Sequence, residues 1–273
     1  MTASVTALLR CPVCGAAGET TTDGKSFRCL GARRHCFDFS RSGYLNLCLS
    51  GKTGDARGAV RARSSFLDAG YYQPLADRVC SILDERNART VLDAGCGEGY
   101  YTNRMATGRT VLGIDLSRDG IDHAARTAKR DRTGAGFAVG SLFALPIADG
   151  SLDAVTSLFA PCAEAEFCRV LRKGGRLLLV GAGETHLMGL KQVLYDNPYV
   201  NPGRSDLPTG MILQRRERLT GEMTVQGQEM IDALFSMTPY YWRTSEADRA
   251  KLNGLETLHT VYDFDIFLYG KDA

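Results

Sequence analysis

Two groups of residues in this 273-residue chain are of types and spacings that chemistry demands. The first is Cys11-Pro-Val-Cys14, followed by Cys29 and then by the adjacent pair His35 and Cys36. A two-residue gap lets two thiolates reach one ion, and a second pair on a short return supplies the remaining donors of a tetrahedral Zn2+. His35 and Cys36 compete for the fourth position. Four protein donors leave no site for water, so the role predicted is structural, in a segment with too little apolar material to order itself without the metal. The rival reading, a redox Cys-x-x-Cys, needs a thioredoxin-like strand-to-helix turn that this stretch lacks.

The second group is Val91-Leu92-Asp93-Ala94-Gly95-Cys96-Gly97-Glu98-Gly99-Tyr100, an acidic strand end running through alternate glycines into a helix start. Such glycines let backbone approach a ligand closely. Nicotinamide and flavin enzymes use a related G-x-G-x-x-G turn for a pyrophosphate, but here the third glycine comes one residue early. Asp93 would sit poorly beside a pyrophosphate, whereas it can reach the amino group of a methionine moiety directly or through water. Asp115 ends the next strand, where a carboxylate accepts from both ribose hydroxyls of an adenosine. Gly140-Ser141-Leu142, then Leu145-Pro146 and Asp149-Gly150-Ser151-Leu152-Asp153, resemble the segment of class I methyltransferases that lies beside the adenine and leads into the fourth strand. Cofactor contacts to S-adenosylmethionine are therefore expected from Asp93, Gly95, Gly97, Gly99, Tyr100, Asp115, Ser141 and Leu142.

The elements that must hold these residues follow from pattern. TVLDAG, TVLGIDLS, GFAVGS, LDAVTSLF and RLLLVGAG alternate with helical stretches, which argues for a doubly wound parallel sheet. Leu177 to Val180 is a continuous apolar run of the kind that helices cover on both faces. Phe66, Leu67, Leu75, Val79, Ile82 and Leu83 fall at helical spacing, so one lead-in helix is expected before the first strand. QRRERLT with MTVQ and VYDFDIFLY are expected to close the sheet with an antiparallel pair, around the helix QEMIDALFSM. Ser50 to Ser64 is polar, Gly-rich and basic, without apolar periodicity. The division expected is a zinc-binding RNA-recognition module over 1–50, a basic linker over 51–64 and a methyltransferase domain over 65–273. The fold class is thus α/β, a class I Rossmann-like methyltransferase sheet with an N-terminal zinc-binding module.

Charge is unevenly placed. Residues 1–65 hold ten Lys or Arg against four Asp or Glu, and the remainder holds 23 against 27. A basic attachment beside a near-neutral body suits a polyanion. No signal peptide and no run of roughly 18 apolar residues is present, so a cytoplasmic protein without a membrane partner is expected. Nine cysteines spread from Cys11 to Cys168 suit metal and packing roles better than disulfides.

Taken together, CPVC, RCLGARRHCFDFSRSGYLNL, FLDAGYYQPL, VLDAGCGEGYYT, LFAPC, LRKGGRLLLV, THLMGLK and MTPYYWR resemble the bacterial 23S rRNA guanine-N1 methyltransferases of the RlmA/TlrB type, over nearly the whole chain. The resemblance implies methylation of a guanine at N1 in a hairpin loop of 23S rRNA, held in a cleft between the zinc module and the cofactor domain. It implies Cys11, Cys14, Cys29 and His35 as the Zn2+ ligands, Tyr72 of GYYQPL as a cofactor contact and His186 of THLM as a histidine near the cofactor. It also suggests a homodimer.

Methyl transfer needs an in-line nucleophile in a dry pocket, so positioning supplies much of the rate. Guanine N1 carries a proton that must leave, so a general base is expected, but no residue is assigned to it. Leu158-Phe159-Ala160-Pro161-Cys162 faces the methyl group in such folds and lacks the Asn/Asp-Pro-Pro-aromatic tetrad of exocyclic amino methyltransferases. Cys162 leaves open an attack on a pyrimidine ring. Tyr44, Tyr100, Tyr101, Tyr240, Tyr241 and Trp242 are candidates for stacking a splayed base. Arg33, Arg34, Arg41, Lys52, Arg57, Arg61 and Arg63 are candidates for neutralising phosphates. The alternatives are a small-molecule methyltransferase with a purely structural zinc module, and a zinc-ribbon binding protein without cofactor, which the intact Asp93, Gly95, Gly97 and Asp115 disfavour.

Overall fold

The computed structural model describes residues 1–49, 54–55, 57–203 and 208–271. Its N-terminal part holds α1 (Ala3–Leu8), β1 (Gly18–Thr20), β2 (Ser26–Cys29), β3 (Cys36–Asp38) and β4 (Leu45–Asn46). Helices α2 (Arg57–Asp68) and α3 (Gln73–Glu85) follow, then β5 (Thr90–Ala94), α4 (Tyr100–Met105), β6 (Thr110–Asp115), α5 (Arg118–Asp131) and β7 (Gly136–Val139). The remainder is β8 (Leu152–Leu158), α6 (Glu164–Val170), β9 (Leu171–Ala182), α7 (Met188–Leu194), β10 (Met211–Gln226), α8 (Gln228–Ser236), α9 (Glu246–Ala250) and β11 (Thr257–Lys271).

β1, β2 and β3 form a small antiparallel sheet, and the other eight strands form one sheet in the order β10-β11-β9-β8-β5-β6-β7-β4. From β9 to β4 neighbouring strands run parallel; β11 and β10 add the expected antiparallel pair at one edge. The central strands are apolar on both sides because helices cover both faces, as with Leu177, Leu178, Leu179 and Val180, all essentially buried. Strand order reverses at β5, which has β6 on one side and β8 on the other, so a crevice opens beyond the carboxyl ends of these strands.

Two expectations are corrected. The lead-in is two helices, because Gly70 adopts φ +88° between them and Pro74 starts the second turn afresh. The segment expected as a linker over 51–64 contains the start of α2 at Arg57, while residues 50–53 and 56, Lys52 among them, lie outside the described residues. The N-terminal part is also not a body with its own core. Val5, Leu9, Phe27 and Leu45 share one buried cluster with Leu92, Leu112 and Leu177 of the large sheet. Burying one such side chain as fully as Phe27 stabilises by roughly 1.5–3 kcal/mol, so docking onto the sheet contributes as much as any local contact. β4 extends this docking by pairing in parallel with β7, Leu45 against Ala138 and Asn46 against Val139.

Candidate active site and metal centre

The turn after β5 is shaped by positive φ angles at Gly95 (+78°), Gly97 (+53°) and Gly99 (+79°). At Gly95 a Cβ would lie 2.4 Å from the Ala160 methyl, so only glycine lets the loop after β8 close against the turn. The Gly97 N–H donates to Asp115 Oδ2 at 3.0 Å and the Ser117 N–H to Asp115 Oδ1 at 2.7 Å, which fixes the carboxylate at the end of β6.

Beside this turn is a cavity of 340 Å³, within the size range of small-molecule sites. Its lining combines the polar Asp55, Arg63, Asp93, Glu98 and Asp115 with the apolar Leu142, Phe143, Leu158, Phe159, Pro161 and Met237. Asp93 is only 2% exposed, and Thr102 Oγ1 and Thr156 Oγ1 donate to it at 2.5 and 2.9 Å. Burial raises its pKa to about 6 against the pull of those two hydroxyls, with the Asp115 and Glu98 charges adding to the rise. A cation placed here relieves that cost. Arg63, from α2, reaches over the turn: its guanidinium pairs with buried Glu98 through Nε and with Asp55 through Nη1 at 2.6 Å.

Of the residues expected at the cofactor, Tyr72, Asp93, Gly95, Gly97, Asp115 and Leu142 line this cavity. Gly99, Tyr100, Ser141 and His186 stand behind or beside it. Gly99 caps α4, Tyr100 turns its hydroxyl to Gln73, and Ser141 Oγ accepts the Phe143 N–H at 3.2 Å. His186 supports Tyr72: its Nδ1 accepts the Asp263 backbone N–H at 3.1 Å, leaving Nε2 to carry the proton of the neutral ring and donate to Tyr72 Oη, also at 3.1 Å. Burial lowers the His186 pKa to about 4 and raises the Tyr72 hydroxyl well above the usual phenol range. Tyr72 therefore lines the cavity as a neutral phenol.

Burial sorts the other aromatic and basic candidates. Tyr44, Tyr100 and Tyr240 are buried, and the Tyr101 hydroxyl is enclosed although its side chain lines the cavity. Trp242 is exposed, in a short 3-10 turn. Phe143 and Phe159, not among the aromatics expected to stack a base, are exposed and line the cavity. Phe159 stood inside the quoted LFAPC, so the signal was present. Arg63 belongs to the cavity and is ion-paired, whereas Arg33, Arg34, Arg41, Arg57 and Arg61 are exposed. Nothing local in the sequence couples Arg63 to Glu98. Cys162 is half-buried against the second core cluster and is not among the cavity residues.

Cys11, Cys14, Cys29 and His35 converge, with their ligand atoms all within 4.8 Å of one another. Cys14 Sγ and Cys29 Sγ are 3.4 Å apart, and Cys11 Sγ lies 3.5 Å from His35 Nδ1. Zn–S bonds near 2.3 Å in a tetrahedron give S···S edges of about 3.7 Å, so this donor set fits Zn2+ in number, chemistry and size. Cys36 is exposed on β3 opposite Arg28 and stands outside the group.

A doubly wound sheet of this order, with carboxylates ending β5 and β6 and a glycine turn at the reversal of strand order, is a class I Rossmann-like methyltransferase; a family model described as a methyltransferase domain matches residues 91–177. The methyl donor of this class is S-adenosylmethionine. Within it, the chain belongs to the 23S rRNA (guanine-N1)-methyltransferase family. It is 31% identical over 277 residues, 96% of either chain, to YxjB of Bacillus subtilis (strain 168), described as a candidate 23S rRNA (guanine-N(1)-)-methyltransferase. It is 32% identical to the 23S rRNA (guanine(748)-N(1))-methyltransferase of Streptomyces fradiae, over 71% of this chain and 70% of that one. Among the described residues no helix is long and apolar enough to cross a membrane.

Proposed function

We propose that this protein transfers a methyl group from S-adenosylmethionine to N1 of a guanine in a hairpin loop of 23S rRNA, in the cytoplasm, with an N-terminal lobe ordered by Zn2+. Similarity to the Bacillus subtilis relative over 96% of the chain, and to the Streptomyces fradiae enzyme over 71%, carries the reading. The cavity supports it by placing carboxylates and apolar side chains in one lining.

When bound, S-adenosylmethionine supplies an electrophilic methyl on a sulfonium. In this reading Asp93 faces the methionine ammonium, Asp115 accepts from the ribose hydroxyls and Leu142 packs on the adenine. Gly95 and Gly97 let the backbone approach, and Tyr72, held by His186, donates a hydrogen bond into the site. Cys11, Cys14, Cys29 and His35 hold Zn2+, which keeps the basic lobe folded where RNA arrives. Arg33, Arg34, Arg41, Arg57 and Arg61 meet phosphates, so RNA binding weakens steeply with salt.

Reverse transcription across 23S rRNA treated with protein and cofactor tests the proposal, because an N1 methyl blocks the pairing edge. One new stop at a hairpin-loop guanine is expected. No new stop, with methyl transfer to a small molecule in the absence of RNA, would overturn it.

A further inference from the structure

Two exposed aromatic rings, Phe159 and Phe143, line the cavity and take no part in the cofactor contacts described above. Phe159 follows β8 directly and adopts φ +56°, a left-handed conformation that a bulky residue rarely takes and that persists only where surrounding structure enforces it. The enforcement is visible on both sides. The Phe159 N–H donates to the Val180 carbonyl on β9 at 3.0 Å, and the next residue, Ala160, is seated against Gly95. The Phe159 ring rests edge-on against Phe264 of β11, with centroids 5.6 Å apart, and Phe264 also supports Tyr72 at 5.0 Å and His186 at 4.9 Å. One side of the ring is thus anchored in the core, yet Phe159 is 48% exposed and Phe143, which lines the same cavity, is 67% exposed.

A single exposed phenylalanine is ordinary. Two lining one cavity, one of them held against its backbone preference, offer flat apolar faces in the same cavity as the glycine turn. Resting on the methyltransferase reading above, we propose that Phe159, with Phe143, forms the stacking platform for the target purine, extruded from its loop and laid against the ring with its pairing edge toward the methyl donor. Stacking tolerates any base, so the platform supplies affinity and orientation while hydrogen bonds elsewhere select the base.

The test compares Phe159→Leu and Phe159→Tyr with the wild type on a hairpin RNA. F159L keeps bulk without a flat ring; its kcat/KM for RNA is expected to fall about tenfold or more. Its Kd for S-adenosylhomocysteine is expected to stay within about twofold of wild type. F159Y, which restores a ring, is expected to recover most of the activity. Wild-type rates for F159L, or F159Y as impaired as F159L, would overturn the platform. Should F159L fail to bind cofactor, Phe143→Leu carries the same comparison, a large RNA-specific loss supporting the platform and a wild-type rate overturning it. A wild-type protein that leaves 23S rRNA unmodified defeats the substrate reading and the platform together; a working wild type matched by F159L defeats the platform alone.

Discussion

Asp93 is asked to be a charge in a place that disfavours one. Its folded-state pKa of about 6 lies above the ordinary carboxylate value, so its burial costs stability above pH 6, and that cost disappears as the pH falls and the group is protonated. Binding runs the other way, since a cationic ligand needs the ionised form. Cofactor affinity measured by calorimetry is expected to be level above pH 7 and to weaken about tenfold between pH 7 and pH 5. Asp93→Asn is expected to flatten that dependence and to bind weakly throughout. The same variant is expected to be more stable than wild type at pH 7.5, by about 1 kcal/mol or more in urea denaturation, because it no longer buries a charge.

At the scale of elements, α2 is the piece that completes the site from outside the parallel sheet. Arg63 ties it to the glycine turn through Glu98, which is buried. Arg63→Ala is expected to destabilise the fold by about 3 kcal/mol, since it strands a carboxylate, and pairing it with Glu98→Ala is expected to recover much of that loss. Urea denaturation of both variants reads the difference directly. This helix was hard to see in the sequence because its apolar positions, chiefly Val60, Phe66 and Leu67, are sparse among basic residues, of which Arg57 and Arg63 pair with Asp119 and Glu98 far along the chain. The strands from β5 to β9 were plain for the opposite reason: being covered on both faces, they carry consecutive apolar residues, such as Val91-Leu92, Val111-Leu112 and Leu177 to Val180. Asp93, Asp115 and the glycines were legible because a strand end and a turn are local events. The contact of Arg63 with Glu98, and the exposure that separates Phe159 from Tyr44 or Tyr240, are decided by tertiary packing, which periodicity does not encode.

For the molecule as a whole, the N-terminal lobe and the sheet share one core, with Phe27 and Leu45 packed among Leu92, Leu112 and Leu177. Removal of Zn2+ by a strong chelator is therefore expected to lower the Tm of a single cooperative transition by several degrees, rather than to release a separate early one; calorimetry with and without chelator distinguishes the two. The parallel pairing of β4 with β7 has a further consequence in time. Val139 follows its partner Asn46 by 93 residues, which at about 5–20 residues per second is roughly 5–20 s of ribosomal synthesis. During that interval the nascent N-terminus has no edge of the large sheet to join, and under the proposed reading a metal ion gathered by Cys11, Cys14, Cys29 and His35 is a partner that need not first be translated.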